Sequence, residues 1–213
     1  MNRLPIKTNL GTCTLLWECE RVTGFRLPGG REHGSDTVSA AADVSSQGVA
    51  LLPADIGSFP SAERSAGILP ASVANAGRMP ALHGAPDGTP HWVLALARRV
   101  QAHMTGDLQD FADVPFDWER VGEFQRAVYR VALGVKPGVT WSYGQVANAL
   151  PGSPGPGGAR SVGTALGQNP WPLLVPCHRF IGADGKMTGF SAPGGIKTKL
   201  KLLALEGAQL FAE

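Results

Sequence analysis

Cysteine is scarce: Cys13, Cys19 and Cys177 are the only three in 213 residues. An odd, widely spread set makes no disulfide framework, and free thiols point to a reducing compartment. No run of about 18 apolar residues is present, so no membrane-spanning helix is expected. No charged start followed by a long apolar stretch precedes the fold, so no signal peptide is expected either. Acidic residues are sparse toward the end, where Asp184 alone lies between Glu123 and Glu206. These gaps lead to the expectation of a soluble, cytoplasmic protein in a reducing compartment.

Apolar residues make up 43% of the chain, enough for a folded core over part of its length. The formal net charge is only +2, but it is unevenly spread. Residues 1–114 hold 9 Lys/Arg and 11 Asp/Glu, a net of −2, whereas residues 115–213 hold 10 and 6, a net of +4. A polyanion would prefer the second half, although a solvated basic surface gives the same count.

The opening stretches "LPIKTNL", "TCTLLWE" and "RVTGFRL" read as strands of a short antiparallel meander, with turns near Gly11 and at Glu20–Arg21. From about Arg31 to Pro90, Ala, Gly, Ser and Pro dominate, and Leu, Ile, Val and Phe supply only 11 of 60 residues. This stretch reads as a low-complexity insertion, with "GVALLPA" (48–54) as the best candidate for a strand inside it. Its near repeat, "AGILPA" and "AGRMPA", has too few copies for a solenoid.

Helical spacing returns at Trp92, Leu96, Val100 and Met104. A second helix is expected to turn Phe124, Ala127, Val128 and Val131 inward and to stop at "GVKPG" (134–138). Ser142 and Gln145 have capping-box spacing. The "PGSPGPGG" break (151–158) then precedes a short helix over Ala159–Gly167, with Val162, Ala165 and Leu166 inward. Helix, break and helix in a basic setting make a helix-turn-helix candidate. A last helix, about Gly195–Glu206, is expected to bury Ile196, Leu200 and Leu203, to expose its lysines and to be capped by Gly207.

Cys177 lies in "NPWPLLVPCHRFIG", directly before His178. It fits a nucleophile activated by a base, a metal ligand or a small core residue. A Cys-His dipeptide without a second pair at ligand spacing is a poor zinc site, so no metal is expected. On an extended segment the two side chains would face opposite ways, leaving a water or a bend to join them. A base also needs an orienting carboxylate, and Glu206 at the end of the last helix is the natural one.

"PCHR" at 176–179, preceded by "GQNPWPLLV" and followed by "TGFSAPGGIKTKLKLLALEG", resembles the active-site region of the alkylguanine-DNA alkyltransferases, the methylated-DNA–protein-cysteine methyltransferases. "VTWSYGQVANAL" and "ARSVGTALGQNP" resemble the same family in the same order. The similarity runs from about Phe124 to Gly207 and continues more weakly at the N-terminus. It implies an α/β plus α architecture. A small, strand-rich, ribonuclease-H-like domain (1–114) would carry the insertion. A mainly helical, winged-helix-like domain with a helix-turn-helix (115–213) would bind DNA.

The resemblance also implies residue roles. Cys177 would take the alkyl group from O6 of guanine, or from O4 of thymine. His178, backed by Glu206, would draw off the thiol proton through a water. Tyr143 would donate a proton to the departing base, and Asn169 would hold the bend before the cysteine. Arg160 would fill the space left by the flipped nucleotide, while Ser161, Gly163 and Thr164 allow close approach in the minor groove. Val175, Phe190 and Ser191 would line the base pocket. The partner would be double-stranded DNA bound by a monomer, with one turnover and no cofactor. The runner-up reading is a non-catalytic protein that binds alkylated bases and recruits repair factors. Such relatives lack the cysteine, and Cys177 speaks against it. A cysteine hydrolase is the third reading. The chain departs from the family pattern at Phe190, where tyrosine is common, in the long "SPGPGG" break, at Ala192–Pro193, and at Asn9.

Overall fold

Alternating apolar residues make the opening meander. Strands β1 (Asn2–Thr8), β2 (Gly11–Glu18) and β3 (Arg21–Arg26) pair antiparallel in the order β1-β2-β3. The register sets Leu4 opposite Leu15 and Ile6 opposite Cys13, so one face is apolar and buried. The computed structural model describes residues 1–29, 85–152, 155, 157–187 and 189–208. The insertion expected at about 31–90, including its strand candidate, lies outside the described residues except for 85–90.

Helix α1 (His91–Met104) packs on β1 and buries Val93, Leu96, Ala97, Val100 and Met104. Its inward stripe includes one polar ring, His103, which is fully buried. A segment through Phe116 then runs along β3, with the Val22 N–H donating to the Pro115 carbonyl and Asp117 N–H to the Val22 carbonyl.

Helix α2 (Glu123–Gly134) follows, and here the expected face is corrected. Phe124 is 40% exposed, and the buried residues are Val128, Tyr129 and Ala132. The helix is rotated by one residue, about 100°, from the apolar reading. Tyr129 decides this, because it buries its ring against Trp171 and donates its hydroxyl to the Ala165 carbonyl at 2.7 Å. A phenol with a polar handle outweighs an equally large phenyl ring at an interface that offers an acceptor.

Strand β4 (Trp141–Ser142) leads into α3 (Tyr143–Ala149), and both halves of the Ser142–Gln145 capping box are formed. Helix α4 (Gly158–Gly167) packs on α3 with Val162, Ala165 and Leu166 buried, as expected. Helix α5 (Gly195–Leu205) ends the fold, and its face is corrected in the same way. Ile196 and Leu200 are 41% and 38% exposed, whereas Lys199, Leu202 and Leu203 are buried. The inward stripe is Lys199, Leu202, Leu203 and Glu206, a regular i, i+3, i+4, i+7 set with a charge at each end. Its end is a Schellman turn, in which Gly207 N–H donates to the Ala204 carbonyl and Ala208 N–H to the Leu203 carbonyl. The described residues thus form a small strand-rich part and a helical part.

Candidate active site

The stretch before the cysteine is shaped by Asn169. Its Nδ2 donates to the Val175 carbonyl at 2.9 Å, and its Oδ1 accepts the Trp171 N–H at 2.9 Å. This clamp closes a loop in which buried Leu173 has a positive φ of 76°. Trp171 anchors the loop from below, donating Nε1–H to the Val22 carbonyl at 2.9 Å.

Cys177 to Arg179 form a single 3-10 turn, not the extended segment assumed from the sequence. Strand β5 (Phe180–Ile181) follows and pairs in parallel with β4, Trp141 opposite Phe180 and Ser142 opposite Ile181. That pairing carries Tyr143, the first residue of α3, to the cleft on which Cys177 opens. The cleft is about 320 Å³ and is lined by Tyr143, Gly163, Leu166, Gly167, Cys177, Gly189, Phe190 and Ser191. Tyr143 lies against Gly163, where an added Cβ would sit 3.9 Å from its ring. A larger cleft of about 430 Å³, walled by Trp92, Arg99 and Asp113, has no cysteine, serine or histidine in its lining.

The thiol of Cys177 is buried, and burial pushes its pKa up. A side-chain hydrogen bond with Asn169 and the charge of Lys199 pull partly the other way. The thiol is therefore protonated near neutral pH and needs a base.

The base is defined by its partners. His178 is fully buried, with Nε2 3.0 Å from Glu206 Oε1. Arg179 makes a fork onto the same carboxylate, Nε to Oε2 at 2.9 Å and Nη2 to Oε1 at 2.7 Å, and donates Nη1–H to the Val135 carbonyl. His103 Nε2 reaches Glu206 Oε1 at 3.1 Å. Burial alone would raise the Glu206 carboxyl, but the bonds from His103, His178 and Arg179 outweigh it and hold it well below the usual range. An ionised carboxylate only accepts, so His178 carries its proton on Nε2. Its Nδ1 is left with the lone pair and is buried without a protein hydrogen bond among the described residues. Burial, chiefly, keeps the imidazole neutral by lowering its pKa. A neutral imidazole with a bare Nδ1 can accept a proton.

The other residues singled out from the sequence fall in two places. Phe190 and Ser191 line the cleft, whereas Val175 is buried beneath it and gives its carbonyl to Asn169 and to the Cys177 N–H. Arg160, Ser161 and Thr164 are exposed on α4, on the helix that bears Gly163.

Three titratable side chains of the site were missed: His103, Arg179 as a carboxylate clamp, and Lys199. Lys199 is buried, donates Nζ–H to the Phe180 carbonyl and sits 6.0 Å from the centre of the Tyr143 ring. The signal for His103 and Lys199 was available. Both occupy inward positions of a helical stripe where an apolar residue would be expected.

The model of one family, described as 6-O-methylguanine DNA methyltransferase, DNA binding domain, matches residues 123–208. A methylated-DNA–protein-cysteine methyltransferase of Mycolicibacterium paratuberculosis is 45% identical over 108 residues, 51% of this chain and 61% of that protein. A DNA base-flipping protein of Thermus thermophilus is 38% identical over 123 residues, 58% of this chain and 79% of that one. The crystal structure of Mycobacterium tuberculosis OGT in complex with DNA aligns with a TM-score of 0.61 at 29% identity, covering 98% of this chain and 95% of that one. The matched part of the chain thus spans about three fifths of the length of the first of these relatives.

Proposed function

The chain belongs to the methylated-DNA–protein-cysteine methyltransferase family, and on that premise we propose that it repairs O6-alkylguanine in DNA by moving the alkyl group irreversibly to Cys177. The observation that carries this reading is a cysteine that opens on a cleft and shares its turn with a buried histidine, whose Nε2 lies 3.0 Å from Glu206 Oε1 and whose Nδ1 has no protein hydrogen bond among the described residues.

The alkyl group on O6 lies inside the duplex, so the nucleotide is rotated out into the cleft beneath Tyr143. His178 Nδ1 takes the Cys177 proton through one water. The sulfur attacks the alkyl carbon, the new S–C bond forms and the C–O6 bond breaks. Negative charge develops on the departing guanine and is neutralised by a proton from the Tyr143 hydroxyl. The imidazolium formed on His178 faces the ionised Glu206. The product is a thioether, which water does not cleave at neutral pH, so each molecule acts once. O4-alkylthymine would be handled by the same chemistry. Asn169 holds the loop that presents the sulfur.

Residues 1–114 are assigned to an N-terminal, ribonuclease-H-like domain and residues 115–213 to a winged-helix-like DNA-binding and acceptor domain. In the latter, α3, the break that follows it and α4 act as the helix-turn-helix. Arg160 enters the base stack, while Ser161, Gly163 and Thr164 let α4 lie close to the minor groove as the protein binds double-stranded DNA as a monomer. Phosphate contacts supply much of the affinity, which therefore falls with salt.

The test is a mass measurement. Protein incubated with duplex DNA carrying O6-methylguanine gains one methyl group on the Cys177 peptide and no more. Cys177→Ala retains DNA binding and gains none. Tight binding with an unmodified Cys177 would overturn the proposal in favour of a binding protein, and repeated turnover on an ester or amide would favour a hydrolase.

A further inference from the structure

The Glu206 carboxylate serves two imidazoles. His178 belongs to the turn that holds the nucleophile, whereas His103 belongs to α1, far away in sequence, and touches neither the cleft nor Cys177 in any role described above. Both rings place Nε2 on the same oxygen, Oε1, at 3.0 and 3.1 Å.

The tautomer of His103 is fixed from its other side. Its Nδ1 accepts the Gln109 N–H at 3.1 Å, so the ring proton is on Nε2 and is donated to Glu206. The side chains of His103 and Glu206 are 1% and 0% exposed, so solvent cannot replace that bond. Oε1 therefore takes donors from His103, His178 and Arg179 together, and Oε2 takes Arg179 Nε.

This arrangement has a consequence for the base. A bare carboxylate beside an imidazole favours the imidazolium. Each further donor on Oε1 absorbs part of that negative charge and leaves less for His178. The groups that face His178 are Glu206 at the end of α5, Arg179 and Cys177 on its own turn, and His103 from α1. Beyond Arg179 lies Asp110, which pairs with Lys136. Of the groups on the carboxylate, Arg179 is a permanent charge, and His103 is the neutral donor that tunes it.

We infer that His103 is a positioning residue for alkyl transfer. Its Nε2–H holds the Glu206 carboxylate in the rotamer that fixes His178 with Nδ1 free, and takes up charge that would otherwise keep His178 protonated. The strand-rich part thereby takes part in the chemistry through one hydrogen bond. The inference rests on the reading of His178 as the base.

The experiment compares wild type, His103→Phe and His103→Gln, with thermal unfolding confirming that each is folded. Single-turnover methyl transfer is followed from pH 5.5 to 9. In His103→Phe the acid limb of the rate profile moves up by about one pH unit, a tenfold change in the ratio of imidazole to imidazolium. His103→Gln, whose amide can still donate to Glu206, returns the limb most of the way to the wild-type position. Imidazole nitrogen NMR gives a readout independent of transfer. His178 shows the Nε2–H tautomer in wild type, and its titration moves up in His103→Phe. If the limb and the His178 titration both stay in place in folded His103→Phe, or if His103→Gln moves them as far, the inference is wrong. If wild type transfers no methyl but the His178 titration moves, the proposed reaction fails while the hydrogen-bond coupling stands.

Discussion

Glu206 Oε1 is the most crowded acceptor in the site, and its environment predicts what each substitution does. Removing one partner of a buried charge pair leaves the other uncompensated, which costs about 3–5 kcal/mol. Glu206→Ala would strand the Arg179 guanidinium, whose side chain is only 6% exposed. Urea unfolding of Glu206→Ala is expected to show a loss in that range, together with loss of methyl transfer. Cys177→Ala removes one polarisable atom at the edge of a cleft and makes no such gap, so it is expected to change stability far less. Equal losses in the two variants would contradict the view that the carboxylate is held by its donors. The same contrast separates the three thiols. Cys13 is buried in the sheet, where burial pushes its pKa up to about 11, and Cys19 is exposed at the β2–β3 turn. Among the described thiols, only Cys177 shares its turn with a buried base.

At the scale of elements, the site depends on where helices begin and end. Helix α3 starts at Tyr143 because Ser142 caps it, its hydroxyl accepting the Gln145 N–H at 3.1 Å while Gln145 reaches back to the Ser142 N–H at 2.7 Å. Ser142→Ala removes half of that box and is expected to cost about 1 kcal/mol in denaturant unfolding. It should also slow transfer, because the first turn of α3 carries Tyr143; a variant that is destabilised yet transfers at the wild-type rate would separate the cap from the chemistry. These boundaries were legible in the sequence, since Ser142, the Pro and Gly of the 151–158 break, and Gly207 are local signals. So were the three strands and the buried face of α4. The rotations of α2 and α5 were not. In α5 the inward stripe begins with Lys199 and ends with Glu206, and a rule that places apolar residues inside chooses Ile196 and Leu200 instead. In α2 the choice turned on an acceptor, the Ala165 carbonyl, that belongs to another helix. The 3-10 turn at Cys177 was also illegible, since it follows from the Asn169 clamp and the β4–β5 pairing, which are tertiary.

Over the whole molecule, the buried titratable groups set the pH range in which the fold is most stable. His178 has an ordinary pKa of 6.5, and burial lowers it in the folded protein. Below pH 6.5 the unfolded chain takes up a proton that the native state refuses, so stability falls as the pH drops. Glu206 acts with the same sign further down: its ordinary value is 4.5, and its native value is well below that, so protonation of the unfolded chain below pH 4.5 steepens the fall. Each such group contributes a limiting slope of about 1.4 kcal/mol per pH unit. The carboxylates of Asp110 and Asp184, paired with Lys136 and Lys186 at the surface, add little because solvent screens them. On the alkaline side the thiols of Cys13 and Cys177, both raised above 9.0 by burial, stay protonated when the unfolded chain loses its protons, so stability falls again above pH 9; the Lys199 ammonium, lowered from 10.5 by burial, acts in the opposite sense and softens that fall. Urea unfolding from pH 4 to 10 is therefore expected to give a plateau between about 6.5 and 9. The acid edge should set in first through the histidine. Substituting His178 by phenylalanine would remove the part of that edge between pH 6.5 and 4.5 and leave the lower part, which belongs to Glu206. An acid edge unchanged by that substitution would mean that His178 titrates in the native state as it does in the unfolded chain, and the neutral base required for the transfer would lose its basis.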